Sequence, residues 1–346
     1  MQDSEAWLTT GSRSLPVLLV EAGFDVFIGN NRGNKYSCKH LHHAPDSAEY
    51  WNFSLDDMAR FDVPAMVAGI LHVTQQPKLA YVGFSQGTAQ MFAALAADPS
   101  LADRVVAFGA LAAAVGVRGL AASALSSLVE SDENFLYLLF GRGVMLSMSE
   151  TWRRMLSPRR FMWLINQSLV FLFGWDMSRN MTYTDRLVSF AHIYSYCSVK
   201  AVVHWFQIIR ARQFQMYTDP GTRGVSPRYD VSHLTVPTAV FLGGRDTVVD
   251  TVRTLKLLPP SAYVFFEPNY SHLDFKWARG AASPARAFES LLAFLHSHAP
   301  GAASAADPTA MQTRFGAHVP KLKRTPHRLV AAVRQYAQEL AGQGVL

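Results

Sequence analysis

A serine flanked by two glycines lies between an apolar run and a helix-forming segment. Residues Lys78 to Phe84 are mostly apolar and favour a strand, whereas Thr88 to Ala97 are rich in alanine and favour a helix. The pentapeptide between them, Gly83 to Gly87, has the pattern Gly-x-Ser-x-Gly. We expect both glycines to be needed for a sharp turn to close without side-chain clashes. The sequence therefore predicts a nucleophile elbow with Ser85 at its apex.

Strand-like and helix-like segments alternate on both sides of this elbow. Besides the run before the elbow, the predicted strands are Phe24 to Ile28, Arg104 to Gly109, Val236 to Leu242 and Ala262 to Phe266. Further helices are predicted at Ser14 to Ala22 and at Ala282 to His296. Another is predicted to begin after Ser54, which forms a capping box with Asp57, and to have a kink at Pro64. Alternation of this kind is typical of a parallel sheet with helices on both faces, which is the α/β class.

Residues 115–233 have a different texture, because tryptophan, phenylalanine and methionine recur there at helical spacing and strand signals are few. We interpret this region as a helical insertion. The predicted domains are a first core part at 1–114, a helical cap or lid at 115–233, a second core part at 234–298, and a linker with a tail helix at 299–346.

Composition points toward an apolar partner. The chain is 49% hydrophobic and carries a net charge of +6. Lysine and arginine are spread along it without an aromatic-basic module, so we expect no nucleic acid partner and favour an anionic membrane or droplet surface.

The apolar stretch Phe161 to Trp175 has polar residues in its middle, which favours an interfacial or core-facing helix over a spanning one. Two distant cysteines, Cys38 and Cys197, indicate no disulfide framework and a reducing compartment.

Two polar side chains follow the last two predicted strands. Asp246 comes after Val236 to Leu242, and His272 comes after Ala262 to Phe266. With Ser85 upstream, the chain order is serine, acid, histidine, which is the order found in α/β hydrolases. We expect Ser85 to attack an acyl carbon, His272 to take its proton, and Asp246 to hold the imidazole tautomer.

Each assignment has an alternative. Asp246 could instead cap a helix at Thr247 to Lys256, in which case Asp250 is the reserve acid. Asp274 is expected to orient the loop that carries His272. A cluster of histidines at 40, 42 and 43 resembles a metal site, but it lacks spaced cysteine or carboxylate ligands, so we predict a solvated loop and no metal or other cofactor.

The combination of motifs resembles the acid lipase family of α/β hydrolases, which includes gastric and lysosomal lipases and fungal steryl ester hydrolases. The motifs are Gly29 to Asn34, Tyr50 to Ser54, Phe61 to Pro64, the elbow, Val202 to Gln207, Phe214 to Tyr217, Gly243 to Asp246 and Tyr270 to Phe275. The resemblance extends from about Gln2 to Phe294 and implies the α/β-hydrolase fold, a mostly parallel sheet with a large helical lid insertion. The aromatic texture of the insertion is most similar to the fungal sterol esterase branch, whose members act at lipid droplets or membranes.

The oxyanion site is predicted in part. The backbone N–H of Gln86, directly after the nucleophile, is the expected first donor. Family members carry His-Gly-Leu immediately before a segment like Gln2 to Ser4, where this chain has Met1. We therefore expect an N-terminally truncated fold whose second donor lies upstream.

These observations predict a serine hydrolase that cleaves lipid carboxylic esters, most simply steryl esters or triacylglycerols, through an acyl-enzyme on Ser85. The alternative is a catalytically impaired, truncated homologue that acts as a lipid-surface or interaction protein. An epoxide substrate is disfavoured because that chemistry places a carboxylate at the elbow. We expect a lipid-droplet or endoplasmic reticulum surface on the cytoplasmic side, or a lysosomal, vacuolar or secreted location if an upstream segment carries a signal.

Overall fold

A four-stranded parallel sheet forms the centre of the chain. The computed structural model describes residues 2–120, 126–222, 224–278 and 284–299. In chain order the strands are β1 (Leu79–Phe84), β2 (Val105–Leu111), β3 (Val144–Met145), β4 (Cys197–Ser198), β5 (Thr238–Gly243) and β6 (Tyr263–Glu267). The main sheet has the order β1-β2-β5-β6, and each neighbouring pair is parallel. The parallel sheet predicted from the alternating pattern is confirmed.

Helices cover both faces of this sheet. Among the described residues they are α1 (Leu15–Glu21), α2 (Leu55–Asp57), α3 (Val63–Thr74), α4 (Gln86–Ala97), α5 (Ser126–Val129), α6 (Glu133–Phe140), α7 (Ser147–Met155), α8 (Pro158–Phe173), α9 (Tyr183–Ser189), α10 (Val199–Ala211), α11 (Thr251–Leu257), α12 (Asp274–Trp277) and α13 (Pro284–His298). Along β5, Ala239 and Phe241 pack with α1 and α13, whereas Val240 and Leu242 pack with α3, α4 and α11. The period of two therefore buries both faces of the strand.

The strand predicted at Phe24 to Ile28 is wrong. This segment forms no ladder, and β1 pairs with β2 alone among the described strands. Phe24 and Val26 pack against the cluster under α13, and the Phe24 ring stacks on His296 with centroids 5.1 Å apart. Its alternating apolar residues thus reflect one-sided packing rather than strand pairing.

The helix predicted after Ser54 is interrupted. The capping box is present, since Ser54 N–H donates to Asp57 and the Ser54 hydroxyl accepts from the backbone of α2. A π turn, Met58–Asp62, separates α2 from α3, and Pro64 lies in the first turn of α3. Because proline has no N–H, it is tolerated there and marks the break. The turn brings Met58 beside α4, below the elbow.

The region between β2 and β5 contains α5 to α10 and the antiparallel pair β3 and β4. Helix α8 buries Phe161, Ile165 and Leu169 and exposes Trp163 and Phe171 on its other side. No helix in the described part of the chain is long and apolar enough to cross a membrane. The domain limits drawn from the sequence stay predictions, and the tail helix after residue 299 falls outside the described residues.

Candidate active site

The elbow holds Ser85 in a strained conformation between β1 and α4. Ser85 has φ 51° and ψ −116°, in the left-handed half of the backbone map, where residues other than glycine are rare. A Cβ on Gly83 would lie 2.8 Å from the backbone carbon of Gly87, so glycine is required at 83. A Cβ on Gly87 would meet only the Tyr81 hydroxyl oxygen, at 4.0 Å. The expectation that the turn needs both glycines is therefore wrong for Gly87.

The structure brings Ser85, His272 and Asp246 into one hydrogen-bonded chain. His272 Nδ1 lies 2.7 Å from Asp246 Oδ2, and His272 Nε2 lies 2.7 Å from Ser85 Oγ. An ionised carboxylate can only accept, so Nδ1 carries the proton and Nε2 accepts from the serine hydroxyl. His272 and Asp246 are each 3% exposed, which shields both hydrogen bonds from water. This is the arrangement that activates a serine as a nucleophile.

Close contact between two loops places the acid beside the histidine. β5 and β6 are neighbours, so the loops that follow them leave the same edge of the sheet. A Cβ on Gly243 would lie 2.4 Å from the Tyr270 carbonyl oxygen, so only glycine allows the loops to approach this closely. Arg245 N–H then donates to that same carbonyl at 2.9 Å. Gly243 is thus explained by its packing against the His272 loop.

The two candidate acids have separate roles in the structure. Asp246 uses Oδ1 to accept from the backbone N–H groups of Val248 and Val249, both at 2.9 Å, and leaves Oδ2 for His272. Asp250 is the N-cap of α11 and accepts from Arg253 N–H at 3.0 Å. The alternative in which Asp246 caps this helix is therefore wrong. Asp250 has no contact with His272 among the described hydrogen bonds.

Asp274 orients the His272 loop, as the sequence indicated. Its Oδ2 accepts from the backbone N–H of Ser271 at 2.6 Å, from the Ser271 hydroxyl at 2.8 Å, and from the Asn180 amide at 2.9 Å. Burial raises the pKa of the Asp274 carboxyl, although these three donors oppose the rise. Since Ser271 directly precedes His272, the carboxylate fixes the start of the histidine's own turn.

Gln86 is the first residue of α4, where backbone N–H groups have no partner within the helix. This leaves its N–H available to a developing oxyanion. The Gln86 side chain is held by the region between β2 and β5, because the indole N–H of Trp205 on α10 donates to Gln86 Oε1 at 3.0 Å. Its amide nitrogen faces Met58 Sδ at 3.4 Å. Sequence reasoning placed Trp205 in a family motif but could not show this contact.

A lysine that sequence reasoning did not single out also lies in this region. The ammonium of Lys276 sits 5.1 Å from the ring centroids of Trp7 and Phe84 and 4.8 Å from that of Trp277. It donates to the Gln2 side chain. Burial lowers the pKa of Lys276 from its usual 10.5 to about 7, with the Asp3 charge opposing the change.

Two other clusters carry side chains of the kinds that bind metal ions. Asp3, Glu5 and His192 bring ligand atoms within 4.8 Å of one another. Lys35 pairs with both carboxylates, and its hydrogen bond lowers the Glu5 pKa to about 2, so one of the two negative charges of this cluster is already compensated. In the predicted solvated loop, His40 Nδ1 accepts from the backbone N–H groups of residues 42 and 43, both at 3.0 Å, and all three imidazoles are exposed.

A cavity of about 1530 Å³ opens onto the nucleophile. Ser85, Gln86 and His272 form one part of its wall. The region between β2 and β5 contributes mostly apolar side chains, among them Trp152, Leu164, Leu169, Leu172, Phe173 and Phe206. The cavity therefore suits a long hydrocarbon chain better than a small polar ligand.

Comparison with known proteins agrees with this geometry. Residues 6–278 match the family described as the alpha/beta hydrolase fold. A probable lipase of Schizosaccharomyces pombe is 42% identical over 289 residues, which cover 81% of this chain and 65% of the relative. Human gastric triacylglycerol lipase is 35% identical over 292 residues, covering 78% and 71%, and human lipase member K is 33% identical over 304 residues, covering 83% and 75%. The chain thus spans less than two thirds of the length of the yeast relative. With its serine elbow followed by an acid and a histidine, the chain belongs to the α/β-hydrolase fold family and, within it, to the acid lipases that include gastric lipase.

Proposed function

We propose that this chain hydrolyses carboxylic esters of lipids through an acyl-enzyme on Ser85. The observation that carries the proposal is the hydrogen-bonded chain from Ser85 through His272 to Asp246, with 2.7 Å at each step. Ser85 Oγ forms a bond to the acyl carbon while its proton passes to His272 Nε2. The same imidazole then protonates the leaving alcohol. In deacylation, water gives His272 a proton and attacks the acyl carbon, which releases the acid and restores Ser85.

The cavity supports a long-chain substrate. The wall that contains Ser85 also includes Leu169, Leu172 and Phe173, and an apolar lining of this kind suits an acyl chain. Steryl esters and triacylglycerols both present an ester bond next to a long acyl chain, and we propose these two classes. The name of human gastric triacylglycerol lipase favours triacylglycerols, whereas the aromatic insertion seen in the sequence favours steryl esters.

We further propose that the protein works at a lipid-droplet or endoplasmic reticulum membrane surface. Helix α7 exposes Met148, Trp152 and Met155 at helical spacing, and α8 exposes Trp163 and Phe171. Apolar faces of this kind can dip into the interface of a lipid layer. Arg159 and Arg160 are exposed next to them and would pair with anionic headgroups, whereas Arg153 and Arg154 are already paired with Glu150.

Labelling with a fluorophosphonate probe tests the reaction. The purified chain should label covalently at Ser85 and hydrolyse cholesteryl oleate, triolein or a soluble p-nitrophenyl ester, and Ser85→Ala should abolish both activities. If the folded chain neither labels nor turns over any of these esters, the chain is instead the non-catalytic lipid-surface protein. Ester turnover that survives Ser85→Ala would refute the assigned nucleophile.

A second experiment tests the surface. The double variant Trp163→Ser and Phe171→Ser should sediment less with vesicles that contain anionic lipid than the wild type does. It should also lose more activity on emulsified triolein than on a soluble ester. Equal sedimentation of the two proteins would exclude this face of α8 as the lipid contact.

A further inference from the structure

The catalytic imidazole lies between two aromatic rings. Phe84, at the end of β1, approaches His272 with ring centroids 5.2 Å apart and planes tilted by 53°. Trp175 comes from the segment after α8, and its ring is parallel to the imidazole to within 11° at 5.0 Å. Among the described residues these are the two rings in stacking range of His272. Trp175 is the one that presents its π face to the imidazole.

Trp175 is held rigidly in this position. Its indole N–H donates to Thr247 Oγ1 at 3.0 Å, and that hydroxyl donates to the Phe173 carbonyl at 2.5 Å. The Phe173 ring also stacks on the indole, with centroids 4.3 Å apart. Gly174, with φ +67°, ends α8 and turns the chain between the two stacked rings. Because Thr247 directly follows Asp246, the indole is anchored to the loop of the catalytic acid.

We propose that Trp175 is a positioning residue for the catalytic base, whose indole face fixes the imidazole plane and stabilises the imidazolium formed when Ser85 attacks. This inference rests on the proposed function. As Ser85 Oγ bonds to the acyl carbon, the carbonyl electron pair moves onto its oxygen and the serine proton moves to His272 Nε2. The positive charge then spreads over a ring that faces the negative π surface of the indole. Such a cation within about 6 Å of a tryptophan face is attracted to it, most strongly where water is excluded.

Asp246 and Trp175 constrain the imidazole in complementary ways. Asp246 at Nδ1 and Ser85 at Nε2, both at 2.7 Å, bind the edge of the imidazole and leave its two faces without a polar contact. A parallel ring 5.0 Å away covers one of these faces. Charged residues near the site are Asp246 and Asp274, Lys276 against the Phe84 ring, Arg245 directly before the acid, and Asp176, which follows Trp175 and pairs with Arg179. Among the described residues, the indole is the ring that lies parallel to the imidazole.

A purely structural role makes a different prediction. Trp175 belongs to an apolar cluster that also contains Phe161, Phe190 and Trp277, so its loss should lower the thermal stability in any case. If packing were its only role, a leucine there would leave the folded enzyme's base chemistry unchanged. Phe190 is fully buried in the same cluster and does not line the cavity, so Phe190→Leu is the matched control.

The test compares Trp175→Leu, Trp175→Phe and Phe190→Leu in the full chain. We would measure the thermal midpoint, the second-order rate of fluorophosphonate labelling of Ser85, and kcat and KM on p-nitrophenyl butyrate from about pH 5 to about pH 9. In Trp175→Leu, labelling and kcat should fall about tenfold with little change in KM. The acidic limb of the kcat/KM profile should also move to lower pH by about half a unit or more, because the leucine keeps the site dry but has no π face. Trp175→Phe should lie between leucine and wild type, and Phe190→Leu should match the wild type in rate at temperatures where it is folded.

Two outcomes would overturn the inference. A folded Trp175→Leu with wild-type labelling rate and acidic limb would leave Trp175 as packing only. A Trp175→Phe variant as slow as Trp175→Leu would show that the anchor to Thr247, not the ring face, determines the rate. Failure of the proposed function is distinguishable from both, because the wild-type chain itself would then not label.

Discussion

Lys276 is predicted to make the stability of the protein depend on pH above neutrality. Its side chain is 7% exposed, and burial lowers its pKa from 10.5 to about 7. Below about pH 7 the lysine is charged in both the folded and the unfolded chain, so it contributes no pH dependence. Between about pH 7 and about pH 10.5 the unfolded chain binds a proton that the folded chain does not, and the free energy of unfolding therefore rises with pH.

The magnitude follows from the size of the shift. About 3.5 pH units correspond to about 5 kcal/mol at 1.36 kcal/mol per unit. The rings of Trp7, Phe84 and Trp277 surround the ammonium and favour its charged form, which offsets about 2 kcal/mol of this cost. We therefore expect a net effect of about 3 kcal/mol, which at 1.36 kcal/mol per pH unit is gained over about 2 pH units below about pH 10.5.

Lys276→Met isolates this effect, because methionine keeps most of the stem and removes the charge. In urea unfolding followed by tryptophan fluorescence, the variant should be more stable than the wild type near pH 7.5, and the difference should narrow by about 1.5 kcal/mol by pH 9.5. Lys256→Met, at an exposed position on α11, is the control and should show a constant difference. Parallel stability curves for the wild type and Lys276→Met would refute the proposed burial of an amine among aromatic rings.

Two further variants test the site. Asp246→Asn should lower kcat by about 10⁴-fold because the histidine tautomer is lost, whereas Asp250→Asn should change kcat less than about threefold because asparagine also caps helices. An equal loss of kcat in Asp246→Asn and Asp250→Asn would contradict the assignment of Asp246 as the catalytic acid. Trp205→Phe removes the indole donor from Gln86 Oε1 and should lower kcat about fivefold without a large change in thermal midpoint. An unaltered kcat would show that the position of the Gln86 side chain does not affect the alignment of the Gln86 backbone N–H.

The sequence predicts the elbow and the loops after β5 and β6 because their signals are local. A strand leading into glycine and serine, and then into alanine-rich helix, fixes Ser85 without knowledge of the rest of the chain. Asp246 and His272 follow the ends of adjacent parallel strands, so topology alone brings them to one edge of the sheet. Their hydrogen bonds need only the short reach of each side chain.

The same pattern reasoning fails where a signal has two physical origins. Phe24 to Ile28 alternates like a strand, but its apolar side chains pack against α13 and its backbone finds no ladder. Hydrophobic periodicity reports which side chains are buried and contains no information on which backbone groups pair. The separate roles of Asp246 and Asp250 were left open for a similar reason, because either carboxylate, in a loop before α11, could have capped it.

Trp175 and Trp205 show what lies beyond such reasoning. In the sequence they are two of several tryptophans at helical spacing, and nothing local distinguishes them from core residues. In the fold, Trp175 stacks on His272, and Trp205 donates to the side chain of Gln86, whose backbone N–H we propose as an oxyanion donor. One contact therefore reaches the proton-transfer half of the reaction and the other reaches the charge-stabilising half. Because both come from the region between β2 and β5, this region helps to assemble the catalytic site as well as to line its cavity. A small fluorophosphonate needs no acyl tunnel, so its rate of reaction with Ser85 reports how well the catalytic site is assembled and is independent of how the cavity holds an acyl chain.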